Sequence, residues 1–437
     1  MGAGARAVAR CDELGSAPYS DDPAGLFRPY LGPGHKATLE RISAWMVAAG
    51  MTARIDAAGN IIGRYEALVP DAPALMIGSH VDSVRDAGRY DGMLGVMLGI
   101  EAVAWFAERG RRFPFAIEVI GFGDEEGSRF PVSMLATRAV AGSLAEQPLD
   151  LTDRDGIGLD TALHDFGLDL EHLRKAARPR EDVLAYVEAH IEQGPVLEAE
   201  DRALGVVSAI AAQLRFRAVV KGVAGHAGTM AMHLRHDALA AAAEMVLAIE
   251  RIGNAGPEDL VATVGHMTVR PGVPNVVPGD VIFSIDIRGG TNTVRDHAAD
   301  TVRAALTDIA HRRQVTLGVE LQQDLKATPC DPGLTRLMEQ AVQTATGTVP
   351  RTLVSGAGHD AMVMAGLVPV SMLFLRCRAG ISHHPDEAVM KDDVEAGLRA
   401  MTDFIEQFAT STVDGAGAVG KADRQLTEQK PDLTGHV

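Results

Sequence analysis

Two clusters of acidic and imidazole side chains in the first half of the chain could hold metal or move protons. His80 and Asp82 lie at and just beyond the end of the apolar run ALMIGSH, and Asp91 stands just before a helical pattern that begins at Gly92. Capping is the plain alternative for Asp91 alone, but three such groups so close together at the mouth of a buried strand favour a site. The next apolar run, FAIEVIGFG, leads into Asp124, Glu125 and Glu126. Adjacent carboxylates repel one another and are costly to bury unless protons or a cation neutralise them. A solvated acidic turn is the bland reading, and the apolar run and glycines around the triplet count against it. Neighbouring glutamates point in different directions, so one can ligate metal while the other holds a proton-transfer position.

His190, in AYVEAHIEQGPVLE, and the tandem His383 and His384, in AGISHHPDE, again follow apolar, strand-like stretches. Each alone reads as an ordinary hydrogen-bonded histidine. Taken together, His80, Asp91, Glu126, His190 and His383 supply two imidazoles for one divalent cation and a Glu–His pair for a second, with Asp91 able to bridge. Mixed nitrogen and oxygen sets of this kind suit zinc, with manganese, cobalt or nickel as substitutes. Asp82, two positions past His80, is placed to receive an imidazole N–H.

The elements that must position these groups follow from periodicity. A helix is expected over 35–50, a strand near 55–65, a strand over 74–80, a helix over 92–108 and a buried strand over 115–123. Such alternation indicates an α/β layered domain, with chemistry at the strand C-termini. From Gln213 the pattern changes to strand (LRFRAVVKG), helix, strand (VATVGHMTV), strand (DVIFSIDIR), helix, strand (TLGVELQQD). That β-α-β-β-α-β order is ferredoxin-like. The α/β style then resumes, with a helix near 333–345, a strand at LVPVSMLFL and a last helix over 391–408. The expected organisation is a catalytic α/β domain in two parts, 1–212 and 327–411, interrupted by a smaller domain over 213–326. Residues 412–437, rich in Gly, Asp, Lys and Gln, are expected to be disordered.

The bulk composition narrows the functional class. The 437 residues carry a formal charge of −17 and only 4% aromatics. Such a surface repels phosphate backbones and anionic membranes, so neither nucleic acid nor membrane is an expected partner. An anionic substrate then requires a local positive site. Cys11, Cys330 and Cys377 show no paired spacing and read as reduced thiols, and the first residues lack the apolar core of a secretory signal, so the cytoplasm is the expected location.

Seven blocks occur in order: GSHVDSV…GRYDGMLGV, GDEEGSRF, EAHIEQGPVLE, GHAGTMAMHLRHDAL, VPNVVPGDVIFSIDIR, SGAGHDAM and GISHHPDE. In these the chain, from about residue 35 to 410, is similar to the carbamoylase and allantoate amidohydrolase branch of the dimetal M20 peptidase family. The resemblance implies a metallopeptidase-like catalytic domain whose inserted lid also forms a homodimer. It puts His80, Asp91 (bridging), Glu126, His190 and His383 on metal-ligand positions and Glu125 on the general base. It places His226, from the partner's lid, at the developing oxyanion. Asn275 and Arg288 fall on carboxylate-binding positions, Gln213 on a polar contact where the lid joins, and Gly358 on a backbone N–H donor. Read without the family, His226 is equally a turn histidine and Arg288 a surface residue, although a guanidinium fork suits a carboxylate. The chain departs from the family at Met230–Ala231, where a proline is usual, and at Ala136 and Thr137, where glycine and serine are usual. These changes put substrate preference in doubt and leave every ligand in place.

The implied reaction is hydrolysis of a C–N bond in a small anionic ureido or acylamino acid, either an N-carbamoyl-L-amino acid or allantoate. A dipeptidase or N-acyl-amino acid deacylase is the alternative within the fold, and a non-catalytic binding scaffold the alternative outside catalysis.

Overall fold

The computed structural model describes residues 2–414, and their strands form two large sheets and one two-stranded pair. The larger has nine strands. Its centre is a run of four parallel neighbours in the order Ala116–Phe122, Ala74–His80, Val183–Ile191, Val370–Leu375. These are the continuous apolar runs of the sequence, and the residues of Ala74–His80, Ala116–Phe122 and Val370–Leu375 are all buried. Full burial on both faces is what a parallel sheet between helical layers requires. Side chains alternate between the layers: Leu75 and Ile77 pack with the helices Ala3–Leu14, Pro33–Ala48, Met93–Glu108, Pro332–Thr346 and Lys391–Asp414, whereas Met76 packs with Ala361 and Met364 on the other face. The four strands run in one direction, so their C-terminal ends, carrying His80, Asp124 and His190, open at one edge.

The second sheet takes its strands from residues 212–325, in the order Met267–Arg270, Asp280–Gly289, Ala212–Lys221, Thr316–Leu325. Helices Ala238–Ala255 and Asn292–Arg312 bury its apolar face around Phe216, Phe283 and Leu306. Asp237 caps the first helix by accepting Leu239 N (2.9 Å) and Ala240 N (3.0 Å), and Thr291 Oγ1 caps the second. The expected β-α-β-β-α-β order is present, inserted between Leu204–Ile210 and Thr328–Pro329. Those two strands pair antiparallel, Thr328 with Ile210, and Leu325 pairs with Gln213 just beyond them.

Several local expectations need correction. The strand expected near 55–65 is a hairpin, Thr52–Ile55 against Ile61–Tyr65. Asp56 Oδ1 accepts Ala58 N (2.8 Å) and Asn60 N (2.9 Å), and Gly59 takes φ +75°, so the chain turns within a pattern that reads as continuous. The single strand expected at VATVGHMTV is two, Val261–Thr263 and Met267–Arg270, both on Asp280–Gly289. The break is held by Ser284, whose Oγ accepts His266 N at 3.1 Å. The helix Ala3–Leu14 is not foreseen by the sequence pattern; its Arg6 and Arg10 neutralise the fully buried Glu101. The last helix, Lys391–Asp414, runs past 408 and takes in the first positions of the expected tail, the rest of which lies outside the described residues. Among the described residues no helix is long and apolar enough to cross a membrane.

Candidate metal centre and active site

His80 closes a central strand, and its ring lies against Gly92. A β-carbon at Gly92 would come within 2.4 Å of the imidazole, and φ there is +64°, so this position requires glycine. The backbone turns at Gly92 into the helix Met93–Glu108 and leaves Asp91 facing the strand ends. His190 lies near the end of the neighbouring strand. His80 Nδ1 faces the Asp82 carbonyl oxygen at 3.1 Å and His190 Nδ1 that of Ile191 at 2.9 Å. With Nδ1–H donating to those carbonyls, both Nε2 atoms turn towards Asp91, and a cation that displaces the Nε2 protons would find each imidazole in the form that binds metal.

Asp91 turns its two oxygens to different partners. Oδ1 lies 3.4 Å from His80 Nε2 and 3.0 Å from His190 Nε2, while Oδ2 lies 3.2 Å from His383 Nε2. His383 Nε2 is also 3.5 Å from Glu126 Oε1. Ligand atoms within 4.8 Å of one another form the sets His80–Asp91–His190, Asp91–Glu126–His383 and His80–Glu125–Glu126. The structure thus brings all five expected ligands together, with Asp91 common to two sets. The donor set fits divalent cations: neutral imidazole nitrogens and crowded carboxylates whose mutual repulsion a cation relieves.

The electrostatics reflect that crowding. Burial pushes Glu125 well above the usual carboxylate range; His80 opposes this, and Glu126 and Asp360 add to it. Glu126 is pushed up to about 7, by burial first and Asp91 next. Burial also opposes ionisation of Asp91, but its hydrogen bonds with His190, His383 and His80 win and hold it well below the ordinary range. The Asp91 contact raises His383 to about 9.

Asp82 meets the His80 Nδ1–H through its carbonyl oxygen, and its carboxylate has a further part. Its carboxylate is 3.4 Å from His80 Nδ1, farther than its own carbonyl oxygen, and its better bonds go elsewhere. Oδ1 accepts Glu125 N at 3.0 Å and Oδ2 accepts Glu126 N at 3.1 Å. Other supporting groups carry no signal in the sequence. Gln193 Nε2 and Ser382 Oγ both donate to Asp91 Oδ2, at 2.8 and 2.7 Å. Beneath the strands Glu188 accepts Ser79 Oγ (2.8 Å) and Ala361 N (2.9 Å). The unusual Thr137 donates its hydroxyl to the buried Asp360.

The cluster opens into a cavity of about 590 Å³ that Gln213, Arg288 and Gly358 also line. Arg288 is held by Asp286 (Nε to Oδ1, 2.9 Å) and by the Gly356 carbonyl, and Gln213 Nε2 donates to Asp286 Oδ2 at 2.7 Å. Arg215, also on Asp286, lines the same cavity. Sequence reasoning misses it, although it shares a strand face with Gln213 at a spacing of two. His226 and Asn275 are not among the described residues that line the cavity. They sit together on the inserted segment, where His226 pairs with Val276 and Ala227 N donates to the Asn275 carbonyl at 2.9 Å, and both are exposed. A separate groove of about 480 Å³ near Lys36 and Ser128 carries charges engaged with each other, Arg129 with Asp153 and Arg85 with Asp22.

Comparison with known proteins gives the family. Residues 76–407 match peptidase family M20/M25/M40. The chain is 42% identical to a probable allantoate deiminase of Oryza sativa subsp. japonica, over 94% of this chain and 89% of that one. It is 41% identical to an N-carbamoyl-L-amino-acid amidohydrolase of Paenarthrobacter aurescens, over 88% and 93%. The crystal structure of an amidase of the hydantoinase/carbamoylase family from Burkholderia multivorans superposes with TM-score 0.85 at 33% identity, covering 93% and 98% of the two chains. The chain belongs to peptidase family M20/M25/M40, among its amidohydrolases.

Proposed function

We propose that this protein is a metal-dependent amidohydrolase that cleaves the C–N bond of an N-carbamoyl amino acid or of allantoate, releasing ammonia and carbon dioxide. The observation that carries this is the sharing of Asp91 between two ligand sets, beside Glu125 and inside the cavity that Arg288 enters. His80, Asp91 and His190 hold one divalent cation; Asp91, Glu126 and His383 hold the other, with zinc the first choice. Bound there, such ions polarise a carbonyl and make water nucleophilic near neutral pH.

Glu125 is a ligand to neither. It accepts the proton of the attacking water and returns it to the leaving nitrogen. Asp82 keeps it in place through the backbone. Arg288 offers its fork to the substrate carboxylate, with Gln213 beside it, and the Gly358 backbone faces the same space. His226 and Asn275 complete the site from the lid of a partner subunit, His226 at the oxyanion. Support for that docking comes from the exposed apolar residues nearby, Met232 at 76%, Leu234 at 61%, Val223 at 50% and Val273 at 45%. A lid over 213–326, set in a catalytic domain of 1–212 and 327–411, is the proposed division, and the three unpaired buried cysteines suit a cytoplasmic enzyme.

Ammonia release should be assayed from allantoate and from a panel of N-carbamoyl-L-amino acids, and release of the free amino acid from N-acetyl amino acids and dipeptides as controls, before and after chelation. Chelation-sensitive turnover of a ureido substrate is expected. Turnover confined to dipeptides or acetyl compounds, or indifferent to chelation, rules the proposal out.

A further inference from the structure

Asp91 and His383 reach the cluster from loops far apart in the sequence, and one side chain ties those loops together. Glu387 is 5% exposed, and its Oε1 accepts the backbone N–H groups of Tyr90 at 2.8 Å and Asp91 at 3.1 Å, although Tyr90 and Glu387 are 297 residues apart. The Ser382 hydroxyl lies within reach of both acidic side chains, 3.1 Å from Glu387 Oε2 and 2.7 Å from Asp91 Oδ2. Gln193 Nε2 donates to Ser382 Oγ at 3.1 Å as well as to Asp91. Gly88 packs directly on the Glu387 carboxyl group, since a β-carbon there would lie 2.2 Å from its Cδ.

This tie bears on the ligand that needs it most. The His383 side chain is 48% exposed, against 8% or less for His80, Asp91, Glu126 and His190. Its backbone sits at φ +55°, a region costly for any residue with a β-carbon and held only by surrounding contacts. A short or apolar side chain at 387 leaves the Tyr90 and Asp91 N–H groups without their acceptor and leaves the Ser382 hydroxyl to tie the His383 loop to Asp91.

We infer that Glu387 is a positioning residue: it fixes Asp91 relative to His383 and thereby sets how tightly the Asp91–Glu126–His383 position holds its cation. This rests on the proposed dinuclear centre. The His80–Asp91–His190 position has two buried strand-borne imidazoles and depends on Glu387 much less.

Cobalt(II) titration of the metal-free, full-length protein against a competing chelator, followed by visible absorption, reads the two binding steps separately. In Glu387→Ala the weaker step is expected to need about 10–100-fold more free cobalt, with the tighter step within about threefold of wild type. Glu387→Gln keeps an oxygen for both N–H groups and should bring the weaker step back to within about threefold. Ser382→Ala should move the weaker step in the same direction by a smaller factor, and it carries the test if Glu387→Ala does not fold. Wild-type steps in both variants, equal weakening of both steps, or no recovery in Glu387→Gln overturns the assignment. A wild-type protein that takes up no second ion overturns the dinuclear reading itself, an outcome recognisable before any variant is made.

Discussion

Asp82 accepts the backbone N–H of Glu125 at 3.0 Å, and its other oxygen accepts that of Glu126 at 3.1 Å. One carboxylate thus orients the proposed proton carrier and a proposed ligand. Asp82→Asn leaves one acceptor and sets an amide NH₂ against a backbone N–H. Turnover should fall about 10–100-fold, with metal held more weakly. Steady-state rates and metal content of the purified variant check this, and a wild-type rate contradicts it.

Glu125→Gln keeps the shape of the side chain and removes its capacity to carry a proton. Both cations should remain bound after gel filtration, while turnover drops by about 10²–10⁴. Undiminished ammonia release would remove Glu125 from the proposed role.

The proposed ligands and Glu125 are legible in the sequence because each sits in a short block next to an apolar run, so local sequence carries both the candidate donor and the strand that presents it. His80 at the end of ALMIGSH and His190 in AYVEAHI are of this kind. Gln193, Ser382 and Glu387 are not legible, because their importance lies in contacts with Asp91 and Tyr90 that only the folded sheet creates. Arg215 shares strand alternation with Gln213, but an arginine on a strand face carries no mark of the cavity it lines. The hairpin at Asp56 escapes for a different reason: its turn is made by a side chain bonding to the backbone, which hydrophobic periodicity does not register.

Metal uptake should release protons. Without metal, the Asp91 contact holds His383 at about 9, so its imidazole is protonated at neutral pH and an incoming cation must displace that proton. Affinity therefore weakens as pH falls from about 9, and Glu126, at about 7, adds a second competing proton in the lower part of that range. Calorimetry at pH 7 in two buffers of different ionisation enthalpy should give different apparent heats for zinc binding. Identical heats in the two buffers contradict proton release.

If His226 acts across a dimer, two inactive variants should repair each other. Glu125→Gln and His226→Ala, unfolded and refolded together in equal amounts, should recover roughly a quarter of wild-type turnover, since half the dimers are mixed and each has one intact site. No recovery, with mixed dimers verified by mass spectrometry, places His226 within its own subunit or outside the reaction.

The chain leaves the larger sheet at Ile210 and returns to it at Thr328, and these residues pair with each other, as do Gln213 and Leu325 just beyond. Exit and return are one antiparallel ribbon. Such a ribbon resists sliding along its length, because its ladder would break, but twists and bends across its face. The smaller layer is therefore joined to the larger by one ribbon and by side-chain ties such as Arg288 to the Gly356 carbonyl and Arg351 to Glu258, so any change in its tilt has to pass through Gln213, which stands on the ribbon and in the cavity wall.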